Sequence, residues 1–200
     1  MPVGADDLFA AADDGATPLD PDECAGLIPG WVATRSDLNL VEQANIEKGL
    51  RWASRRRGGG DVLDEAMVFD LHRRMFNEVW RWAGQQRQSE RNIGVAPHDI
   101  RPQLRQLHDD TRTWREFGTY PARECAARYH HRLVQIHVFA NGNGRHARAM
   151  ADWLLRQWGE APFSWGNALP IHEARDQYLA ALRAADGHDF GPLLGFLADQ

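Results

Sequence analysis

Two hundred residues with 43% hydrophobic content suffice for one domain with a real core and would crowd two. The formal net charge is −5 with acids and bases interspersed, so no broad basic face recommends a nucleic acid partner. Cys24 and Cys125 are too few for a disulfide framework or a metal cluster, so reduced thiols and a cytoplasmic setting are expected.

Residues 1–30 are rich in Asp, Ala, Gly and Pro and read as a loose N-terminal arm; Met1 to Thr17, acidic and Ala-rich without a basic start or long apolar run, is not expected to be a secretory signal. Ser36-Asp37 offers a cap for a helix through about Ser54, with Leu38, Val41, Ile46 and Leu50 forming an apolar stripe. Arg55-Arg56-Arg57 before Gly58 to Gly60 reads as a solvated helix end. Asp61 is expected to cap the next helix, which carries Leu63, Met67, Leu71, Met75, Phe76, Val79 and Trp80 as far as Gly84. Residues 85–98 lack a helical period, contain Pro97 and suggest a short hairpin or flap. Helices are expected at about 99–117, 121–136, 143–158, 171–185 and 190–198. No stretch is apolar and long enough to span a bilayer, so no membrane partner is expected. The fold class is all-α, with residues 31–200 as its domain. Tryptophans such as Trp80 are expected to pack, and His130 and His131 to be structural.

The chemistry concentrates in His137-Val138-Phe139-Ala140-Asn141-Gly142-Asn143-Gly144-Arg145 and Arg148. Gly142 and Gly144 let the backbone turn its N–H groups toward one point, and the following helix adds unpaired donors and the positive end of its dipole. Phosphate suits such a loop. Arg145 and Arg148 are placed three residues apart and read as leaving one helix face, and guanidinium forks grip phosphate oxygens. His137 stands just before the loop, where an imidazole can take a proton near neutral pH. His146 reads as able to touch ligand or solvent.

This run resembles the Fic/Doc core motif, His-x-Phe-x-(Asp or Glu)-Gly-Asn-Gly-Arg-x-x-Arg, and departs from it where Asn141 replaces the acid. Leu71-His72-Arg73-Arg74-Met75-Phe76, Val79 to Gly84 and Arg87 resemble the helix before the family's flap, and Arg91-Asn92-Ile93-Gly94 resembles the flap. Asn141 to Arg148 and the early segment Asn39-Leu40-Val41-Glu42-Gln43-Ala44-Asn45-Ile46 are similar to the group called mobile mystery protein B.

The resemblance implies a Fic-like helical bundle with a short β-hairpin flap over the active-site loop. It implies a protein adenylyltransferase that uses ATP with Mg²⁺ and moves AMP to a Ser, Thr or Tyr hydroxyl of a target protein. His137 is then the general base. The loop Asn141, Gly142, Asn143 and Gly144 with Arg145 and Arg148 binds nucleotide, and Arg91, Asn92, Ile93 and Gly94 pair with the target. Asn141 is a neutral oxygen where Mg²⁺ prefers a carboxylate. That departure leaves open transfer of another phosphate-containing group, or a non-catalytic nucleotide-binding module or toxin component acting with a partner. Glu42 resembles the family's inhibitory glutamate in placement, which implies a pairing with Arg148; Leu38 and Gln43 depart from that pattern, and by residue type Glu42 reads equally as a solvated helix acid. An inhibitory antitoxin-like protein is the competing means of control.

Overall fold

The structure is a computed structural model that describes residues 24–56 and 60–198. Most of the expected arm, residues 1–23, lies outside the described residues, as does Arg57. Helix α1 runs Arg35–Arg55. Its cap is Thr34, ahead of the expected Ser36-Asp37: Thr34 Oγ1 accepts from the Asp37 N–H at 3.1 Å, and Asp37 Oδ2 accepts from the Thr34 N–H at 2.9 Å. Asp37 thus closes a capping box from inside the first turn. The buried face is Leu38, Glu42, Asn45, Ile46, Gly49 and Ala53, whereas Leu50 is exposed. A carboxylate and an amide share the buried face with Leu38 and Ile46 of the expected stripe.

Helix α2, Glu65–Phe76, is shorter than expected at both ends. Asp61 Oδ1 accepts from the Leu63 N–H and makes a turn, while the cap is Asp64, which accepts from the Ala66 N–H. Beyond Phe76 the chain leaves the helix because Asn45 of α1 supplies other bonds. Its Nδ2 donates to Arg74 O at 3.0 Å and its Oδ1 accepts from the Glu78 N–H at 2.9 Å. A buried amide pays its desolvation only when both ends are bonded, and here both are. Trp80 then forms an isolated antiparallel bridge with Leu27, so the described end of the arm lies along the turn after α2.

A short 3₁₀ turn, Pro97–Asp99, leads into α3, Ile100–Glu116. Helices α4, Ala122–Ile136, and α5, Asn143–Gln157, pack on each other and are joined by the motif loop. Helices α6, Ile171–Asp186, and α7, Gly191–Leu197, cover a second apolar cluster with Leu155, Phe163, Leu182 and Leu193. The main core joins Val68, Leu71, Met75, Phe76, Leu104, Leu133, Phe139 and Met150. On α5 alone, Met150, Leu154 and Leu155 are fully buried. Each is worth roughly 1.5–3 kcal/mol, against about 1 kcal/mol for a typical loop hydrogen bond. Packing therefore fixes the helix and the loop is carried by it.

Among the described residues there is no β ladder, so the fold is all-α and the segment at 85–98 is not the expected hairpin. No helix among them is long and apolar enough to cross a membrane. Trp52 and Trp153 meet edge to face at 5.5 Å between centroids, and Trp80 is buried, so these rings pack as expected.

Candidate active site

His137 ends α4 in the left-handed region, with φ 55° and ψ 63°, while its N–H still closes the helix on Leu133 O. The reversal turns the next residues away from the helix and leaves the imidazole 4% exposed beside the flap. Burial pushes its pKa down to about 4; the Arg87 and Arg91 cations push the same way, and a backbone hydrogen bond at Val134 opposes them. At neutral pH the ring is uncharged and holds the lone pair a base needs.

The loop is braced from both sides. Asn143 Oδ1 accepts from the Phe139 N–H at 2.9 Å and its Nδ2 donates to Phe139 O at 2.8 Å, so this side chain serves the loop and only its backbone faces a ligand role. His72 stacks on Phe139 with centroids 3.6 Å apart. Its Nδ1 accepts from the Gly84 N–H at 2.9 Å, which leaves Nε2–H to donate to Asn141 O at 3.0 Å. Burial, then the neighbouring His146, holds the His72 pKa well below the ordinary imidazole value, and the neutral form is the one this pairing requires. Gly142 has φ +78°, and a Cβ there would lie 2.6 Å from Phe76 Cζ. Only glycine fits that corner.

From Gly142 the chain enters α5, whose first-turn N–H groups at Asn143, Gly144 and Arg145 have no carbonyl ahead of them in the helix. The Gly142 N–H is different: it donates to Asn141 Oδ1 at 2.5 Å. The Asn141 oxygen expected to stand in as a Mg²⁺ ligand is therefore turned into the loop, and one of the expected cradle amides is used internally. Among the described residues no group of three or more His, Cys, Asp or Glu is placed to hold a metal ion. The side chains at this loop do not fit a protein-held Mg²⁺.

The two arginines diverge, contrary to the expectation of a shared face. Arg145 Nη1 donates to Glu42 Oε2 at 2.7 Å, with its guanidinium 5.1 Å from the Phe76 ring centroid. Glu42 is buried and its other oxygen accepts from the Trp80 indole N–H at 2.8 Å. Arg148 instead lies 5.6 Å from the Tyr178 ring on α6, near Asp152. Side chains three residues apart splay by about 60° around a helix, and here different neighbours capture each. The expected Glu42–Arg148 pair is thus corrected to Glu42–Arg145. His146 is likewise not at the ligand: it is buried, its Nε2–H donates to Val68 O at 2.9 Å, and burial holds its pKa down at about 3. His130 and His131 are structural as expected, bonded to Tyr178 and Asp186.

The flap lies over His137. Arg91 is half-buried, while Asn92, Ile93 and Gly94 are exposed. Gly94 has φ +98°, and a Cβ there would meet His137 Cβ at 2.6 Å. Arg87, His72 and Trp80 were not among the site residues expected from the motif. Their signal was weak: Arg87 stands in a polar run and His72 and Trp80 in mixed helical stretches, with no spacing to mark their partners.

Residues 62–155 match the model of the Fic/DOC family. The chain carries a Fic/DOC family domain. This Fic domain is 31% identical over 136 residues to protein adenylyltransferase fic-1 of Caenorhabditis briggsae, covering 66% of the chain and 26% of that relative. To protein adenylyltransferase Fic of Nematostella vectensis it is 28% identical over 179 residues, 86% of the chain and 39% of the relative. The chain thus spans between about a quarter and two fifths of these relatives. Among solved structures it superposes on Fic-1 of Caenorhabditis elegans with TM-score 0.62 and 25% identity, covering 88% of this chain and 51% of that one. It superposes on BepC of Bartonella tribocorum, solved with AMPPNP, with TM-score 0.67 and 16% identity, covering 89% and 96%.

Proposed function

We propose that the Fic domain is a protein adenylyltransferase, moving AMP from ATP to a Ser, Thr or Tyr hydroxyl of a target protein. The observation that carries this reading is a neutral, buried His137 at the edge of a loop whose next helix presents open first-turn amides, with Arg145 and Arg148 behind. Adenylyltransferase relatives at 28–31% identity support it. His137 takes the hydroxyl proton; the freed oxygen attacks the α-phosphate, the bond to the bridging oxygen breaks, and pyrophosphate leaves. The amides of Asn143, Gly144 and Arg145 hold phosphate oxygens, and Arg145, once off Glu42, neutralises charge. The exposed Asn92, Ile93 and Gly94 are the surface a target segment would meet. Mg²⁺ would arrive with the nucleotide's own phosphates, since the neutral Asn141 oxygen is turned onto the Gly142 N–H.

The turned-in Asn141 favours a second reading, a nucleotide-binding module without transfer that works through a partner such as an antitoxin-like protein. ATP labelled at the α-phosphate, offered with lysate to the protein and to its His137→Ala variant, separates the two. Label on protein that depends on His137 supports transfer; nucleotide binding without label supports the module.

A further inference from the structure

Arg87 is 2% exposed, and its guanidinium is spent on backbone oxygens. Nε donates to His137 O at 2.6 Å, Nη1 donates to Ser89 O at 2.9 Å, and Nη2 donates to Val95 O. Two of these carbonyls belong to the two ends of the flap and the third belongs to the base-bearing residue itself. The backbone repeats the link: the Arg87 N–H donates to Val138 O at 3.0 Å and the Val95 N–H to Ile136 O at 3.4 Å. A segment without a hairpin ladder is nonetheless tied at both ends to the turn that carries His137.

We propose that Arg87 is a positioning residue that fastens the flap and the His137 turn into one unit, so that the surface meeting the target and the base acting on its hydroxyl keep a fixed relation. This deepens the adenylyltransferase reading and rests on it for its catalytic meaning. The device suits the place. A planar fork with five N–H donors can serve three carbonyls at fixed angles, which a lysine ammonium cannot hold in the same plane. Charged donors also make the stronger bonds, which offsets the cost of burying a cation. The left-handed backbone at His137 needs such an over-determined setting to persist. The Arg87 charge also acts on the ring: the cations that hold His137 down are Arg87 and Arg91, both from the flap, with Glu90 beside Arg87.

The test uses Arg87→Met, which keeps an apolar stem, and Arg87→Lys, which keeps the charge but not the fork. Both are read in the full chain without nucleotide or target, so a failure of the transferase reading leaves the outcome interpretable. In either variant, amide hydrogen exchange at Arg87's own position, Val95 and His137 is expected to speed up together by about tenfold or more, as loss of charge-assisted bonds would cause. The His137 pKa, followed by NMR, is expected to rise in Arg87→Met while staying below 6.5, because burial persists, and to remain low in Arg87→Lys. Circular dichroism shows whether each variant is folded, and Arg87→Lys carries the test if Arg87→Met is not. Where transfer is measurable, both variants should lower kcat more than they raise KM for ATP. Flap exchange that rises while His137 exchange is unchanged would overturn the proposal, as would a His137 titration indifferent to Arg87→Met.

Discussion

Glu42 and Arg145 are 103 residues apart in sequence and meet at 2.7 Å, with the Trp80 indole holding the other carboxylate oxygen. The pair joins α1 to the first turn of α5, where the phosphates of a nucleotide would lie. An arginine occupied by a buried carboxylate is not available to an anion arriving from solution.

Replacing Glu42 with Gln keeps an oxygen for the Trp80 indole and removes the charge that holds Arg145. Affinity for ATP is expected to rise roughly tenfold, the worth of a charge-assisted hydrogen bond, and auto-modification to rise with it. In the Arg145→Ala background the same change should do little, because the shared contact is already gone. Calorimetry with ATP on the four proteins checks this. Additive effects would reduce Glu42 to a structural acid.

His137→Ala should cut transfer by about a hundredfold to ten-thousandfold, the usual range for losing a general base. ATP affinity should stay close to that of the parent, since the imidazole faces the hydroxyl and not the helix amides. Undiminished transfer by the folded variant removes His137 from the chemistry.

Asn141→Asp tests the motif's odd position. An aspartate can keep the bond to the Gly142 N–H with one oxygen and present the second, negative oxygen to a cation. Transfer should increase and its Mg²⁺ requirement should sharpen, read as the metal concentration at half-maximal rate. A fall in activity with unchanged melting would mean that the native chemistry uses the amide.

Acid should unfold this protein early. Burial holds His72 well below its ordinary value, His108 and His137 at about 4, and His130 and His146 at about 3. The unfolded chain takes up protons near 6.5 while the folded one does not, so stability rises with pH between about 4 and 6.5 and is complete above it. Going down in pH, each such histidine removes up to roughly 1.4 kcal/mol per unit. Chemical denaturation at pH 7, 6 and 5 should therefore show a steepening loss. A flat profile over this window would mean that these rings find solvent or a partner when protonated.

The helices and the loop joining α4 to α5 were readable because each is local: 3.6-residue periodicity, caps within a turn, and glycines lying between a histidine and two arginines. The errors came where a distant side chain decides local structure. Helix α2 stops at Phe76 because Asn45, thirty residues earlier on another helix, bonds Arg74 O and the Glu78 N–H. In the flap, which forms no ladder, the Arg87 side chain bonds Ser89 O and Val95 O, contacts that no local pattern marks. Glu42 was found by its placement, but its partner was not, since the helix rotation that separates Arg145 from Arg148 is set by Phe76 and Tyr178.

The left-handed turn at His137 sets chemistry against durability at a single position. A side chain with a Cβ is strained at φ 55°, a conformation that costs of order 1 kcal/mol or more and that glycine adopts freely. The protein would be relieved by surrendering its base: a glycine there should relax the backbone while ending the reaction. Where the helix must bend, this fold has placed a residue with a Cβ instead of the glycine that such a corner favours, and the strain is the cost of having a reactive ring there.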